Sequence, residues 1–381
     1  MHIAFLTSEY PHPKITHSAG IGTSIKNLAV VLVKQGHHVT VFVYGAATNE
    51  IFKDSGIAIH KIAYKKYTVF SWYLYRKHLQ KYINKVITNN QIEILEAPDW
   101  TGITAFMKFK CTLLIRLHGT DAYFCALEGR KQKQKNFWFE KKALTTANFI
   151  TSVSEFTAKK TTKLFSLSKK IEVIHNGIDS TNFSASSIKV EANSILYFGT
   201  IIRKKGVLEL AGIFNEVVKK NPKASLTLLG KDVVDIFKKK STLELFQCKL
   251  SAKAKNNVTY ISHVPYNQVK EYIAKANVIV LPSFAEAFPM TWLEAMAMEK
   301  ALVTSNIGWA KELMIDGETG FIEDPRNHEL YAAKIIQLLE NKEMNSIFGK
   351  NARKCIENNF SQEIIGNRNI KFFKNIIDER V

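Results

Sequence analysis

Two carboxylates, Glu286 and Glu294, flank the segment Phe288-Pro289-Met290, which reads as the start of a helix. A carboxylate accepts hydrogen bonds from the vicinal hydroxyls that ribose and hexoses both carry. A helix N-terminus presents unpaired N–H groups and the positive end of a dipole, which suit a phosphate. Carboxylate, helix start and carboxylate in this order make a cradle for a nucleotide-sugar.

Four further segments have chemistry to offer. Gly199-Thr200-Ile201-Ile202-Arg203-Lys204-Lys205-Gly206 follows an apolar run and opens a helical one. Three successive cations beside a glycine turn at a strand's carboxyl end suit a diphosphate, and they also suit a solvated loop. His175-Asn176-Gly177-Ile178-Asp179 offers polar groups in what is also ordinary turn chemistry. Arg116-Leu117-His118-Gly119-Thr120-Asp121 sets a histidine, a glycine permitting close approach and an acid directly after a strand, a sugar-contacting loop or a structural histidine. Ala19-Gly20-Ile21-Gly22-Thr23-Ser24 loosely echoes a dinucleotide fingerprint, but Ile25 stands at the third glycine and no acid ends the second strand. A nicotinamide site is therefore not expected, whereas a helix start facing a donor phosphate or an acceptor is. No Asp-x-Asp, His-x-x-x-His or cysteine cluster occurs, so neither metal nor other cofactor is expected. A diphosphate would have to be met by Arg, Lys and helix dipoles.

The elements that must position these groups follow from periodicity. Residues 3–7, 39–43, 92–96, 112–117, 149–153 and 171–174 are short apolar strands, and residues 24–35 carry a helical pattern ending at Gly36. A second series has strands at 194–198, 225–229, 278–281 and 301–304 and helices at 206–219, 267–275 and 291–298. Continuous apolar strands alternating with helices predict parallel sheets covered on both faces. The chain thus divides into two doubly wound α/β domains, at 1–185 and 190–360, with a polar linker near 180–193 and a C-terminal helix at 361–381. The 381 residues suffice for both cores.

The bulk properties narrow the setting. No apolar run is long enough for a membrane span, and the N-terminus lacks the basic region of a signal peptide. Four scattered cysteines suggest free thiols in a reducing, cytoplasmic compartment. The net charge of +19 is uneven: residues 1–200 hold 26 Lys+Arg against 13 Asp+Glu, and residues 201–381 hold 27 against 21. Such a basic N-terminal half attracts a polyanion or reflects lysines spread over solvated faces. Within it, residues 61–85 combine a helical stripe (Trp72, Tyr75, Leu79, Tyr82, Ile83, Val86) with Lys65, Lys66, Phe70, Arg76 and Lys77. The stripe suits a helix's core face, and the cations with aromatics suit an anchor on the inner face of an anionic membrane. Residues 130–142 form a second such patch. No nucleic-acid motif accompanies the charge, so no specific nucleic-acid partner is expected.

In their order along the chain, these motifs resemble the retaining glycosyltransferases of family 4. The strongest is the paired-glutamate segment, from Glu286 through Glu294-Ala295-Met296-Ala297 to Glu312 and Asp316-Gly317-Glu318-Thr319-Gly320. The resemblance implies the GT-B fold, two Rossmann-like domains facing across a cleft, with the C-terminal helix crossing back to an acceptor-binding N-terminal domain. It implies that Glu294 binds ribose and that Glu286 faces the transferred sugar. It further implies that backbone groups of Phe288, Pro289, Met290 and Thr291 meet sugar and diphosphate, and that Lys205 holds the diphosphate beside Gly199. His118 is then beside the donor sugar, and Gly20 lets its loop approach the phosphates. Asp121 and Asn176 belong to the same substrate-binding set. Three positions depart from the family pattern: Thr200 replaces an arginine, for which Arg203 would substitute, Ala19 replaces the first of two glycines, and Pro289 replaces a glycine at a position where a first helical turn accepts proline.

The implied activity is transfer from a UDP- or GDP-sugar to a glycan or lipid-linked acceptor with retention, in cell-surface polysaccharide or lipopolysaccharide synthesis. A nucleotide-sugar epimerase and a catalytically degenerate glycan-binding scaffold are the alternatives.

Overall fold

The computed structural model describes residues 1–379. The chain forms two compact units. The first joins residues 1–177 to the C-terminal helix Gln362–Asp378, and the second runs from Ile178 to Ser361. The boundary falls at Gly177, just ahead of the stretch read as a linker, and residues 180–193 lie within the second unit.

The first unit is built on eight strands: β1 (His2–Thr7), β2 (His38–Ala46), β3 (Glu50–Asp54), β4 (Ile57–Ala63), β5 (Ile94–Pro98), β6 (Thr112–Leu117), β7 (Phe149–Ser152) and β8 (Ile171–Val173). They pair in the order β3-β4-β2-β1-β5-β6-β7-β8, parallel except for the β3/β4 hairpin. That hairpin has no counterpart among the apolar runs of the sequence. Its outer strand β3 alternates exposed and partly covered residues while β4 is covered throughout, and the hairpin turns at Ser55 and Gly56, both with positive φ. Alternate residues of β1 serve opposite faces. Ile3 and Phe5 pack with Ile25 and Leu32 of helix Gly20–Lys34 and Phe373 of the C-terminal helix. Ala4 and Leu6 pack with Leu79 and Ile83 of helix Ser71–Asn90.

One ion pair crosses this core. Arg116 on β6 donates from Nε to Glu96 Oε1 on β5 at 2.7 Å and from Nη2 to Oε2 at 2.9 Å. The same Nη2 reaches Asn369 Oδ1 of the C-terminal helix at 2.5 Å, and Nη1 donates to the Ile174 carbonyl at 3.3 Å. Both charged side chains are 5% exposed or less.

The second unit has six strands, all parallel: β9 (Ser194–Phe198), β10 (Ser225–Leu229), β11 (Val258–Ile261), β12 (Val278–Leu281), β13 (Leu302–Ser305) and β14 (Gly320–Glu323). Their order is β11-β10-β9-β12-β13-β14. The chain works outward from β9 to one edge and returns to β12 on β9's other side. The connections therefore diverge between β9 and β12, and an open parallel sheet offers its ligand crevice at the carboxyl ends of such a pair.

Removing Glu96 alone would strand a buried guanidinium. Glu96→Ala is expected to lower the urea-unfolding free energy by about 3–5 kcal/mol; a loss below about 1 kcal/mol would show the pair to be dispensable.

Candidate active site

The loops after β9 and β12 are fitted to each other at backbone level. Gly206, with φ +72°, lies where a Cβ would sit 1.9 Å from the Pro282 carbonyl oxygen. The Lys204 carbonyl accepts from the N–H groups of Phe284 at 2.8 Å and Ala285 at 3.2 Å. Gly199 has φ +129°, and its carbonyl oxygen lies 2.0 Å from where a Cβ on Gly230 would stand. These contacts fix the turn Arg203–Lys205 against the start of the glutamate segment.

The side chains converge accordingly. Lys205 Nζ is 3.2 Å from Glu286 Oε1, and Ser283 Oγ donates to the same oxygen at 3.1 Å. A Cβ built on Gly199 would lie 3.4 Å from Lys205 Nζ and 3.8 Å from Thr291 Cγ2. Gly199, Lys205, Glu286 and Thr291 therefore share one neighbourhood. Helix Met290–Ala297 begins there with Pro289 as its N-cap, no side chain capping it and no acid in its first turn. Phe288 is buried and its ring lies 5.5 Å from that of Phe360.

Glu294 sits one turn into this helix, 4% exposed. Its Oε1 accepts from the Tyr266 hydroxyl at 2.6 Å. Burial pushes the carboxyl up to about 7, while the Tyr266 hydrogen bond and the Lys205 charge pull it back. Tyr266 follows β11 in a short loop of no marked pattern and was not among the expected site residues. A tyrosine after proline beyond an unrecognised edge strand gives no sequence signal.

Arg203 takes a different partner. Its Nε donates to Asp235 Oδ2 at 2.6 Å and its Nη2 to Oδ1 at 3.2 Å, and its guanidinium lies over the Phe237 ring at 5.3 Å. Asp235 is buried and also accepts from the N–H groups of Phe237 and Lys238. The expected substitute for the arginine absent at Thr200 thus has its charge met inside its own loop pair.

Within the first unit, His118 follows β6. Its N–H donates to Asp99 Oδ1 at 2.9 Å and that of Gly119 to Oδ2 at 3.1 Å. Burial, reinforced by the Arg116 charge, lowers the imidazole to about 3, so it is neutral near pH 7. Burial likewise raises Asp99 to about 8 against the pull of those two N–H groups. His118, His175 and Asn176 line one polar cavity with Glu96, Arg116 and Asn369. Asn176 Oδ1 accepts from Ser24 Oγ at 2.7 Å, which ties it to helix Gly20–Lys34.

Two helix starts of the first unit already hold acids. Gly22 N–H donates to Glu9 Oε1 at 2.7 Å at the start of helix Gly20–Lys34. The space beside Gly20 is open, and the steric demand falls on Gly22, where a Cβ would meet the Glu9 carbonyl oxygen at 2.8 Å. Helix Asp121–Glu128 receives the buried Glu140, whose oxygens accept from the N–H groups of Asp121 and Ala122 at 2.8 and 3.2 Å. The Asp121 carboxylate itself is engaged by Asn136 and Arg130 at 3.1 and 3.3 Å. Asp121 and the start of helix Gly20–Lys34, both expected to meet substrate, thus have local structural partners. Among the described residues no group of three or more His, Cys, Asp or Glu side chains is arranged to hold a metal ion.

Known proteins fit this architecture. Sucrose-phosphate synthase from Thermosynechococcus elongatus superposes with a TM-score of 0.83 at 17% identity, over 99% of both chains. Anabaena HepE, solved in complex with UDP and glucose, superposes at 0.76 with 16% identity, over 98% of this chain and 100% of that one. The fold is GT-B. Residues 18–182 match Glycosyltransferase Family 4, and residues 179–355 match Glycosyl transferases group 1. The chain belongs to the group 1 glycosyltransferases. The capsular polysaccharide biosynthesis glycosyltransferase CapM of Staphylococcus aureus is 30% identical over 60% of this chain, a match spanning 62% of that protein.

The raised Glu294 carboxyl carries a sign. Its folded value near 7 exceeds the ordinary 4.5, so the folded chain holds more protons than the unfolded chain between those values. Stability contributed by this group is full below pH 4.5 and is lost as pH rises to about 7. Relative to wild type, Glu294→Gln should gain roughly 2–3 kcal/mol across that window in urea unfolding. Parallel pH profiles for the two proteins would contradict the buried-carboxylate assignment.

Proposed function

We propose that the second unit binds a UDP- or GDP-sugar at the carboxyl ends of β9 and β12. We further propose that the enzyme transfers the sugar, with retention, to a glycan or lipid-linked acceptor in cell-surface polysaccharide synthesis. The convergence of Lys205, Glu286 and Thr291 around the side-chain-free Gly199 carries this reading. It supplies a cation, a carboxylate and an uncapped helix start within one small volume.

The roles follow from charge. A departing nucleoside diphosphate gains negative charge as the glycosidic bond breaks. Lys205 and the first-turn N–H groups of helix Met290–Ala297 offset it, and being preorganised they need no rearrangement in the transition state. Lys205 is held by Glu286 before a phosphate arrives, which keeps its amino group aimed into the site. Glu286 then accepts from hydroxyls of the transferred sugar, and Glu294 from ribose hydroxyls, for which the Tyr266 hydroxyl is a stand-in. Arg203 holds the loop of residues 231–241 in place through Asp235 and contributes to the diphosphate only through that support. A neutral His118 serves the sugar as a hydrogen-bond partner. The acceptor oxygen attacks from the leaving group's own face, so no protein nucleophile is needed.

The acceptor reading rests on the first unit. At the carboxyl ends of β1 and β5, its own topological reversal, a cavity of about 250 Å³ is lined by Ser8, Glu9, Tyr44 and Trp100 among others. Indole, phenol, hydroxyl and carboxylate are the groups that recognise a sugar ring by stacking and hydrogen bonding.

Release of nucleoside diphosphate from a panel of UDP- and GDP-sugars tests the proposal. Lys205→Ala should cut turnover by about 10²–10³ with little loss of fold, as removal of one preorganised charge donor does. Glu294→Ala should raise donor KM more than it lowers kcat. If no donor binds or turns over, and Glu294→Ala changes nothing, the site is wrongly assigned.

A further inference from the structure

The two basic aromatic segments of the first unit, residues 61–85 and 130–142, are brought together by the fold. Helix Ser71–Asn90 and helix Gln134–Thr146 lay their rings side by side. Trp72 lies 6.4 Å from Trp138 and 4.9 Å from Phe139, and Phe106 bridges Trp72 at 5.7 Å, Tyr73 at 6.3 Å and Trp138 at 4.8 Å. The inner rings are covered, but the outer ones are not. Phe70 is 72% exposed, Val69 62% and Trp138 51%. Phe70 holds φ +45° at the start of its helix, a left-handed conformation that a bulky residue adopts at a cost. An exposed aromatic kept in a strained position calls for a use outside the fold.

Cations ring this patch. Lys65, Lys66, Lys131, Lys133 and Lys135 are exposed, and Lys135 Nζ lies 5.6 Å from the rings of both Trp72 and Phe139. Lys77 Nζ lies 5.3 Å over Tyr73. No acid occurs from Lys61 to Asn90, and from Gly129 to Ser154 the only one is the buried Glu140. Arg76, which the sequence offers as a lipid-facing cation, is buried instead. It donates to the carbonyls of Trp72 and Gly102 and stacks 4.3 Å over Phe139, so it mortars the cluster from within.

We propose that this surface docks the first unit on an anionic lipid bilayer, with Phe70, Val69 and Trp138 at headgroup depth and the ring of lysines on acidic lipid. The chemistry is that of an interfacial anchor, which needs apolar insertion and charge together. A soluble acidic protein would satisfy the lysines and leave the rings wet; a second copy of this chain would oppose its own cations. Among the described residues no helix is long and apolar enough to cross a membrane, so attachment is by surface. The proposal is independent of the donor site, because none of these residues belongs to it.

Flotation of the full chain with vesicles decides it. Vesicles of an equal mixture of phosphatidylglycerol and phosphatidylcholine should carry the protein up the gradient, vesicles of phosphatidylcholine alone should not, and added salt should weaken the binding. Each lysine at such a surface contributes about fivefold, so joint replacement of Lys65, Lys66 and Lys135 by Gln should weaken binding by about 10². Phe70→Asn, which suits the left-handed backbone, should weaken it with no fall in melting temperature. Equal flotation with both vesicles, flotation with neither, or binding indifferent to both sets of changes would overturn the proposal. So would a dimer in sedimentation that Phe70→Asn dissolves while no vesicle binds.

Discussion

The geometry of the candidate site in the second unit depends on one backbone fit, the seating of the Gly206 turn on the Pro282 carbonyl. Where β9 and β12 lie side by side, the two connections depart in opposite directions and leave a crevice between them. A crevice becomes a site only if its walls are fixed. Here the walls are fixed by atoms common to every residue: the Lys204 carbonyl receives two N–H groups from the opposite loop, and glycine alone permits the approach at Gly206. Lys205 and Glu286 then meet because their backbones are already in place.

Electrostatics decide which polar groups remain for a ligand. Three helix starts are among the expected site elements, two in the first unit and one in the second. The starts at Gly20 and Asp121 hold Glu9 and Glu140, so their positive ends are neutralised from within. The start at Met290 has neither a capping side chain nor an acid in its first turn. The cations differ as well. Arg203 is held bidentate by a buried aspartate, whereas Lys205 Nζ lies 3.2 Å from a Glu286 oxygen that also accepts from Ser283.

Much of this was legible in the sequence, for identifiable reasons. Strands buried on both faces are continuous apolar runs, and β6, β9, β10 and β12 fall where those runs stand. The edge strands β3, β11 and β14 were not legible, because half-covered strands mix polar with apolar residues and are short, and β4 was missed because His60 and Lys61 interrupt its apolar run. At the site, the sequence order of Gly199, Lys205, Glu286 and Glu294 pointed to one place, and the structure gathers Gly199, Lys205 and Glu286. Arg203 and Asp121 had the right residue types, but their partners, Asp235 for one and Asn136 with Arg130 for the other, are set by tertiary contacts that no local pattern announces. Tyr266 was invisible for the converse reason: nothing in its loop marks it, and its role comes from where β11 ends.

The central claim is that Lys205 and the Met290 helix start together hold the diphosphate of a donor nucleotide. A crystal structure of the full chain with saturating UDP or GDP tests it most directly. The account predicts diphosphate oxygens within hydrogen-bond reach of Lys205 Nζ and of the first-turn N–H groups, with the ribose hydroxyls on Glu294 in place of the Tyr266 hydroxyl. A nucleotide bound elsewhere, or one seated here with Lys205 still closed on Glu286 and Tyr266 still on Glu294, would contradict it.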